Sequence, residues 1–449
     1  MNIVIVGCGK VGETLVKCIE KENHNIVVID KNKAVIEKIL NDYDVAGVVG
    51  NGAAASVLQE ANVQKADIFI SATCDDELNL VCCKMASLLG AKSLIAKIRD
   101  TDYTNQGELI RSGFNIDDIV NMEFSTAEEI AKLLRFPFAT NAISFEKGRV
   151  VCVEVKIPQD CKVAGKSIKD LIEEFNAELT IGAIRRADKI IIPDAEEIVS
   201  ADDFVSFIST PRNIDAFFKK SGIFNQKVKT VIVIGGSRIA YHLVRKLQEV
   251  GIKVKIIEKS EVRSNLLVSS LDKVEVVCAD GTQKQVLDEE GLNDCDACVS
   301  LTDIDELNII ISLYAKSKNV ETVISKVNNN TFTEILKDIN LDTYISPKNI
   351  AADQILSFVR NQKANGKSIL SLHKLMDDNL ELLELVVCKE DAIISKSINE
   401  LKLKKGIIIA GIIRKGAFIV PTGETVIEEG DKIIVATTLV LEQVDSILK

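Results

Sequence analysis

The feature that most constrains this chain is that it repeats itself. Ile3-Val-Ile-Val-Gly7 recurs as Val231-Ile-Val-Ile-Gly235, and Asp30 recurs as Glu258, both at an offset of 228 residues. Further on, Ala66-Asp-Ile-Phe-Ile-Ser-Ala-Thr73 meets Cys295-Asp-Ala-Cys-Val-Ser-Leu-Thr302 at an offset of 229. Asp76-Glu-Leu-Asn79 returns as Asp305-Glu-Leu-Asn308, and Ile95-Ala-Lys97 as Ile324-Ser-Lys326. Self-similarity at a fixed offset decides architecture more firmly than local propensity. Whatever one half folds into, the other half repeats.

Each half divides again. Its first part alternates short β-branched runs (Ile3–Val6, Ile26–Ile29, Ile68–Ser71, Leu94–Ile98) with helical patterns, which predicts βαβ units and a parallel sheet. Ser125-Thr-Ala-Glu128 has capping-box spacing, and Ile130, Leu133 and Leu134 then form an apolar stripe that stops before Pro137. These residues predict a bridging helix. From about Ile143 the pattern changes to alternating strands (Val151–Val155, Leu179–Ile184, Lys189–Ile192) around one short helix at Ser167–Phe175. A twin begins near Ser368, with Ser395-Lys-Ser-Ile398 repeating Gly165-Lys-Ser-Ile168 and Pro421 repeating Pro193. The expected fold class is α/β, with two tandem Rossmann-like parallel-sheet domains, each followed by a small α+β lobe. The boundaries read as 1–136, 140–220, 228–361 and 366–449, with the polar, basic residues 212–228 as the linker between halves.

Gly7-Cys8-Gly9-Lys10-Val11-Gly12 follows the first apolar strand directly and opens a helix bearing Val11, Leu15, Val16 and Ile19. Asp30 closes the next strand, where the dinucleotide fingerprint places an acid for ribose hydroxyls. Gly7 permits the tight turn, Gly9 lets backbone approach a pyrophosphate, and Gly12 lets helix and strand pack closely. Helix-start N–H groups and the macrodipole then favour phosphate. Strand, glycines, helix and acid together favour a bound adenine nucleotide over a purely structural turn.

Ligands of open parallel sheets bind beyond the carboxyl ends of the strands, which adds three loops. Asn51, within Gly50-Asn-Gly52, follows the third strand; Thr73 and Cys74 follow the fourth; Lys97 and Arg99 lie at the fifth. Asn51 suits the adenosine end, Thr73 a ribose or phosphate, and Lys97 or Arg99 phosphate charge. The competing reading has Thr73 capping the next helix and Arg99 pairing with a carboxylate.

The second copy reads Gly235-Gly236-Ser237-Arg238-Ile239-Ala240. Ser237 puts a Cβ where a pyrophosphate would approach, while Glu258 keeps an acid and Arg238 adds a charge. Asp280 and Thr302 stand where the first copy has Asn51 and Thr73. Two readings stay open for this copy: weaker or differently selective nucleotide binding, or a scaffold.

Other function classes find no support. Lys+Arg number 55 against Asp+Glu 66, a net charge of −11, which argues against a nucleic-acid partner held through phosphates, and aromatic content of 4% with no Trp leaves few stacking platforms. Ile407–Ile413 ends at Arg414, well short of the roughly 18 apolar residues of a membrane span. No basic segment precedes the first apolar run, so a cytoplasmic protein is expected. The eleven cysteines read as reduced thiols, and Cys295-Asp-Ala-Cys298 as a strand entry rather than half of a metal site. The three histidines, His24, His242 and His373, lie away from the glycine turn or inside a helix, and no hydrolase or metalloprotease motif occurs. Repeat symmetry leaves no separate substrate domain, so the nucleotide reads as a signal and the chain as a non-enzyme. The alternative is an NAD-dependent oxidoreductase with tandem Rossmann domains.

These motifs together resemble the tandem RCK (regulator of potassium conductance) regulators of Trk potassium uptake. The resemblance spans essentially the whole chain and rests on Gly7–Gly12 with Asp30, Gly50-Asn-Gly52, Ala72-Thr-Cys-Asp-Asp-Glu-Leu-Asn79, Ile95-Ala-Lys-Ile-Arg99, and the small-lobe patterns at Gly165–Ile168 and Ser395–Ile398. It implies RCK N-lobes and C-lobes in alternation. It also implies a peripheral protein on the inner face of the membrane, a homo-oligomer (dimer or tetramer) forming a ring, and a TrkH- or TrkG-type potassium channel subunit as partner. NAD(H) and/or ATP/ADP would be regulatory ligands, held by Gly7 to Val11, Asp30, Asn51, Thr73, Cys74 and Lys97, with Arg99 near the phosphates. Lys97 stands where Arg is common in the family, and Lys lacks the bidentate fork. A regulator of another cation channel or antiporter is the third reading.

Overall fold

A computed structural model describes all 449 residues except 188, 224–226, 330–335, 337–338, 340, 342, 364–368, 377–378 and 442. The expected start of the second small lobe, at 366 or near Ser368, lies outside the described residues.

In the first half, β1 (Asn2–Val6), α1 (Lys10–Glu20), β2 (Asn25–Asp30), α2 (Lys33–Asp42), β3 (Ala46–Val49), α3 (Ala55–Glu60), β4 (Ile68–Ser71), α4 (Asp76–Leu89), β5 (Ser93–Lys97), α5 (Thr101–Asn105), α6 (Gly107–Phe114) and β6 (Asp118–Val120) build one parallel sheet in the order β3-β2-β1-β4-β5-β6. Its central strands are apolar on both faces because helices cover both. Ile3, Ile5, Ile68 and Ile70 are fully buried, in the register Ile3↔Ile68 and Ile5↔Ile70. The order reverses between β1 and β4, so their carboxyl ends form the crevice where such sheets take ligands. The long helix Pro347–Lys363 belongs to this compact unit, along with residues 1–126. Its Arg360 is buried against Glu22, with Nε donating to Oε1 at 2.6 Å.

The bridging helix α7 runs Met122–Arg135, one turn earlier than the capping-box spacing implied. Asn121 caps it by accepting from Phe124 N–H at 2.9 Å, so Ser125 is already inside the helix.

The other unit holds the rest. After α7 come β7 (Asn141–Phe145), β8 (Val150–Lys156), β9 (Lys166–Ser167), α8 (Ile168–Phe175), β10 (Thr180–Arg186), β11 (Lys189–Ile191), β12 (Ile198–Val199), β13 (Phe204–Ser209) and α9 (Pro211–Ser221). Five of these strands form an antiparallel sheet, β11-β10-β13-β8-β7. The presumed linker is corrected here: 211–221 is helical, capped by Thr210, and buries Ile214, Phe217 and Phe218. That i, i+3, i+4 stripe was masked in the sequence by the lysines around it.

The second parallel sheet repeats the first. Its elements are β14 (Thr230–Ile234), α10 (Arg238–Glu249), β15 (Lys253–Glu258), α11 (Glu261–Ser270), β16 (Glu275–Cys278), α12 (Lys284–Glu289), β17 (Ala297–Ser300), α13 (Asp305–Ser317), β18 (Thr322–Lys326) and β19 (Tyr344–Ile345), in the order β16-β15-β14-β17-β18-β19. Cys298 is buried within β17 and Cys295 donates to Leu292 O at 3.3 Å, as a strand entry requires. The second small sheet, from β20 (Ile369–Leu375), β21 (Leu380–Val386), β22 (Ile407–Arg414), β23 (Ala417–Ile419) and β24 (Lys432–Thr437), has the order β20-β21-β24-β22-β23. Where the first small lobe has α8, the second has only the 3₁₀ turn Ile398–Glu400, closed by a Ser397/Glu400 capping box. The two small lobes share one core, in which Phe145, Cys152 and Ala183 meet Leu380, Leu382 and Ile434. Each is also pinned by an arginine fork on a buried aspartate: Arg186 to Asp203, with Nη2 to Oδ2 at 2.8 Å, and Arg414 to Asp431 at 2.7 Å. Among the described residues no helix is long and apolar enough to cross a membrane.

Candidate functional site

At the β1–β4 reversal the chain turns sharply at Gly7, whose φ of +91° favours glycine. A Cβ there would lie 2.7 Å from Thr73 N, so the first glycine is required by the neighbouring loop. Gly12 is required as strictly, since its Cβ would stand 2.1 Å from Gly7 O. Gly9 differs from both. Its φ of −70° and ψ of −164° suit any residue, and nothing lies within 4 Å of the place its Cβ would take. No contact inside the protein needs a glycine there; open space above the helix start does.

Gly9 is the N-cap of α1 and supplies no side-chain cap. The N–H groups of Lys10, Val11 and Gly12 accordingly have no acceptor among the described residues. Three adjacent uncapped donors at the positive end of a helix dipole make an anion-binding edge. Cys8, between the glycines, is buried, and burial first, then the Asp30 charge, pushes its thiol up to about 12. It is a packing residue, not a nucleophile.

Asp30 fastens this turn. Its Oδ2 accepts from Cys8 N–H at 2.8 Å and its Oδ1 from Asn32 N–H at 2.9 Å. Each carboxylate oxygen has a second lone pair, so Asp30 can hold the turn and still accept from a hydroxyl. Asn51 spends its side chain on its own loop, accepting from Ala53 N–H at 3.0 Å.

The fourth and fifth strands end on a residue that motif reading did not assign. Asn79, fully buried on α4, accepts from Thr73 N–H at 2.9 Å, Thr73 Oγ1 at 2.7 Å and Ser71 Oγ at 2.9 Å. Its amide donates to Lys97 O at 2.8 Å, tying the two loops together. Asp76, also buried, accepts through Oδ2 from Arg99 N–H at 2.9 Å and Asp100 N–H at 2.8 Å. The recurrence of Asp-Glu-Leu-Asn in both halves was the available signal for these two roles. Thr73 does not cap α4; Asp75 does, accepting from Leu78 N–H at 2.7 Å. Arg99 is engaged as well: its Nη2 donates to Cys74 O and its Nε lies 3.6 Å from Asp76 Oδ1. Cys74 is exposed at this rim.

Lys97 is the exception in this tied framework. It is 8% exposed, and its ammonium makes no hydrogen bond or ion pair with the described residues. Burial, then the Arg99 charge, pushes its pKa below the ordinary lysine value, against the weaker pull of Glu123, Asp76 and Cys74. Burying a cation costs free energy that these attractions offset only in part. An anion delivered to this crevice would relieve that cost.

The second copy repeats the framework and fills the openings. Gly235 has φ +101°, and Asn308 accepts from Thr302 N–H at 2.8 Å and donates to Lys326 O at 2.9 Å. Glu258 accepts from Gly236 N–H at 2.6 Å and Ser260 N–H at 2.7 Å. Ser237, however, caps α10 with its hydroxyl, accepting from Ala240 N–H at 3.4 Å. Arg238 and Ile239 open α10 behind that cap. Asp280 closes its own turn on Thr282, and the Thr282 hydrogen bonds hold its carboxyl below the usual range. Lys326 is not alone: Asp303 Oδ1 lies 3.9 Å from its Nζ. Of the three histidines, His373 is half-buried with its ring edge-on to Phe145, and desolvation lowers its pKa to about 3.

Comparison with known proteins bears on the family and the fold. The TrkA-N domain matches residues 3–122 and 231–347, and the TrkA-C domain residues 152–222 and 382–446. The chain is 29% identical over 436 residues to a protein of Archaeoglobus fulgidus named Trk system potassium uptake protein TrkA homolog, covering 97% of each. Among solved structures, the GsuK channel bound to NAD superposes with a TM-score of 0.64 at 19% identity, covering 97% of this chain and 76% of that one. GsuK bound to ADP superposes with a TM-score of 0.50 at 17% identity, covering 81% and 69%.

Proposed function

This chain belongs to the family built from TrkA-N and TrkA-C domains, and from that premise we propose that it is a nucleotide-sensing regulatory subunit of a potassium uptake system. In this reading residues 1–136 and 228–361 are the N-lobes and 140–220 and 366–449 the C-lobes. NAD(H) and/or ATP/ADP bind the first N-lobe, and the protein gates an integral membrane potassium channel subunit of TrkH or TrkG type from the inner face of the membrane, as a homo-oligomeric ring. The name of the Archaeoglobus fulgidus relative and the NAD and ADP bound in the two GsuK structures support the ligand and transport classes.

The observation that carries the reading is the space at Gly9. A glycine that no contact among the described residues requires stands at the start of a helix with three uncapped N–H groups, beside Asp30, which holds the turn through Cys8 N–H. Phosphates would lie on the N–H groups of Lys10, Val11 and Gly12, with Lys97 offsetting their charge and Asp30 accepting from a ribose hydroxyl. A dinucleotide and a mononucleotide triphosphate place different charge and length on that turn. Only a difference in their binding free energy between two conformations, typically about 1–3 kcal/mol, can do work on a channel.

The test is potassium flux through reconstituted channel subunit plus this chain, titrated with NADH, NAD, ATP and ADP. Flux that differs between nucleotides supports the reading. Flux indifferent to all four, or steady cofactor turnover with an added metabolite, refutes it.

A further inference from the structure

The duplication supplies an internal comparison for the rim of the crevice. Position 303 in the second copy corresponds to position 74 in the first. At 303 stands a carboxylate, 73% exposed, with Oδ1 3.9 Å from the strand-end lysine Lys326 Nζ and Oδ2 3.7 Å from Arg263 Nη1. At 74 stands an exposed thiol, and the matching lysine, Lys97, is more than nine-tenths buried with its ammonium unpartnered. The loops carrying the two positions are held alike, because Asn79 and Asn308 make the same bonds to Thr73 and Thr302 and to the carbonyls of Lys97 and Lys326. A side chain at 74 therefore starts from the backbone position from which Asp303 reaches its lysine. The charged groups acting on Lys97 are Arg99 on its own strand's extension, Glu123 from α7, and Asp76 and Cys74 from the fourth-strand side.

We propose that Cys74 is a modification site, and that converting its sulfur to an anion closes the first crevice by engaging Lys97, as Asp303 stands beside Lys326 in the second copy. The co-reactant class is a peroxide. The Cys74 thiolate attacks one peroxide oxygen, the O–O bond breaks, and hydroxide leaves and is protonated to water; sulfur is oxidised by two electrons to a sulfenic acid and the peroxide is reduced. A second peroxide converts the sulfenate to a sulfinate, RSO⁻ + H₂O₂ → RSO₂⁻ + H₂O, which is a fixed negative charge. That charge competes with a nucleotide phosphate for Lys97.

The proposal rests on nucleotide binding at the first site, so the experiment separates the two. The full chain is treated with iodoacetate, which leaves a carboxylate on sulfur, or with iodoacetamide, which leaves a neutral group of nearly the same size, and titrated calorimetrically with NADH and ATP. Carboxymethylation is expected to weaken affinity about tenfold or more beyond carbamidomethylation, the scale of a lost charge-assisted contact. Iodoacetate treatment of a Cys74→Ser variant is expected to add no loss to that variant's own affinity, which assigns the effect to this cysteine among the eleven. Equal loss from both reagents, or loss persisting in the variant, overturns the proposal. If the untreated chain binds neither nucleotide, the functional reading fails instead. The Lys97 link is then read alone, as the rate of Cys74 oxidation by hydrogen peroxide followed by mass spectrometry. A rate severalfold lower in Lys97→Met supports the link, and an unchanged rate overturns it.

Discussion

In the first copy the helix after the glycine turn starts at Gly9, with no side chain over its first N–H groups; in the second it starts at Ser237, whose hydroxyl takes one of them. In the first, the lysine at the end of the fifth strand makes no hydrogen bond or ion pair with the described residues; in the second, Asp303 lies 3.9 Å from it. Beneath these differences the framework is the same. Both turns need a positive-φ glycine, both acids accept from the turn's N–H, and both buried asparagines tie the same two loops. Fold and ligand site are thus separable here. What was duplicated is the scaffold; the second copy caps one helix N–H with Ser237 and sets Asp303 near its lysine, and the first copy has neither feature among the described residues.

The largest expected effects test the shared part. Asn79→Ala and Asn308→Ala each strand several buried polar groups, at about 1–3 kcal/mol apiece, so each should lower stability by about 3 kcal/mol or more in urea unfolding. A large cost at one and not the other would break the equivalence of the copies. Next comes Gly9→Val, which fills the open space without internal clash. It should weaken NADH or ATP binding by at least about 100-fold, about 2.7 kcal/mol, with thermal stability nearly unchanged. Lys97→Met should cost about tenfold to 100-fold in affinity, the range of a charge-assisted hydrogen bond. A loss below threefold would mean that the ammonium does not meet the ligand.

Proton linkage sharpens the comparison further. Burial, then Arg99, lowers the Lys97 pKa in the free protein, and a bound phosphate would raise it again. Binding should therefore take up protons above the lowered pKa, and affinity should fall as pH rises toward the ordinary lysine value of about 10.4. Calorimetry in buffers of different ionisation enthalpy measures this uptake, which should vanish in Lys97→Met. The smallest effect is at the second turn: Ser237→Gly loses only a few tenths of a kcal/mol of helix capping, an upper bound on what internal capping contributes there.

Much of this was legible in the sequence, because duplication doubles every signal. Ile3–Val6 and Val231–Ile234 read as buried strands on sight, and Gly7–Gly12 with Asp30 read as a nucleotide turn. The residues that escaped act by contact rather than by type. Nothing in the letters of Asn79 says that it bonds to Lys97 O; only its recurrence as Asn308 hinted at a task. Likewise α9 was hidden because Phe217 and Phe218 sit beside Lys219 and Lys220, and charge composition there outvoted the three-four spacing that buries the aromatic rings. The difference between Gly9 and its neighbours was also invisible, since which glycine is required by the fold and which is not depends on atoms brought close only by folding.

The central claim is that one crevice of the two is built to receive a nucleotide. Its most direct measurement is the calorimetric stoichiometry of the intact chain with NADH and with ATP. The account predicts one ligand per chain, competition between the two, and loss of all binding in Gly9→Val; two ligands per chain, no binding at all, or full binding in that variant would contradict it.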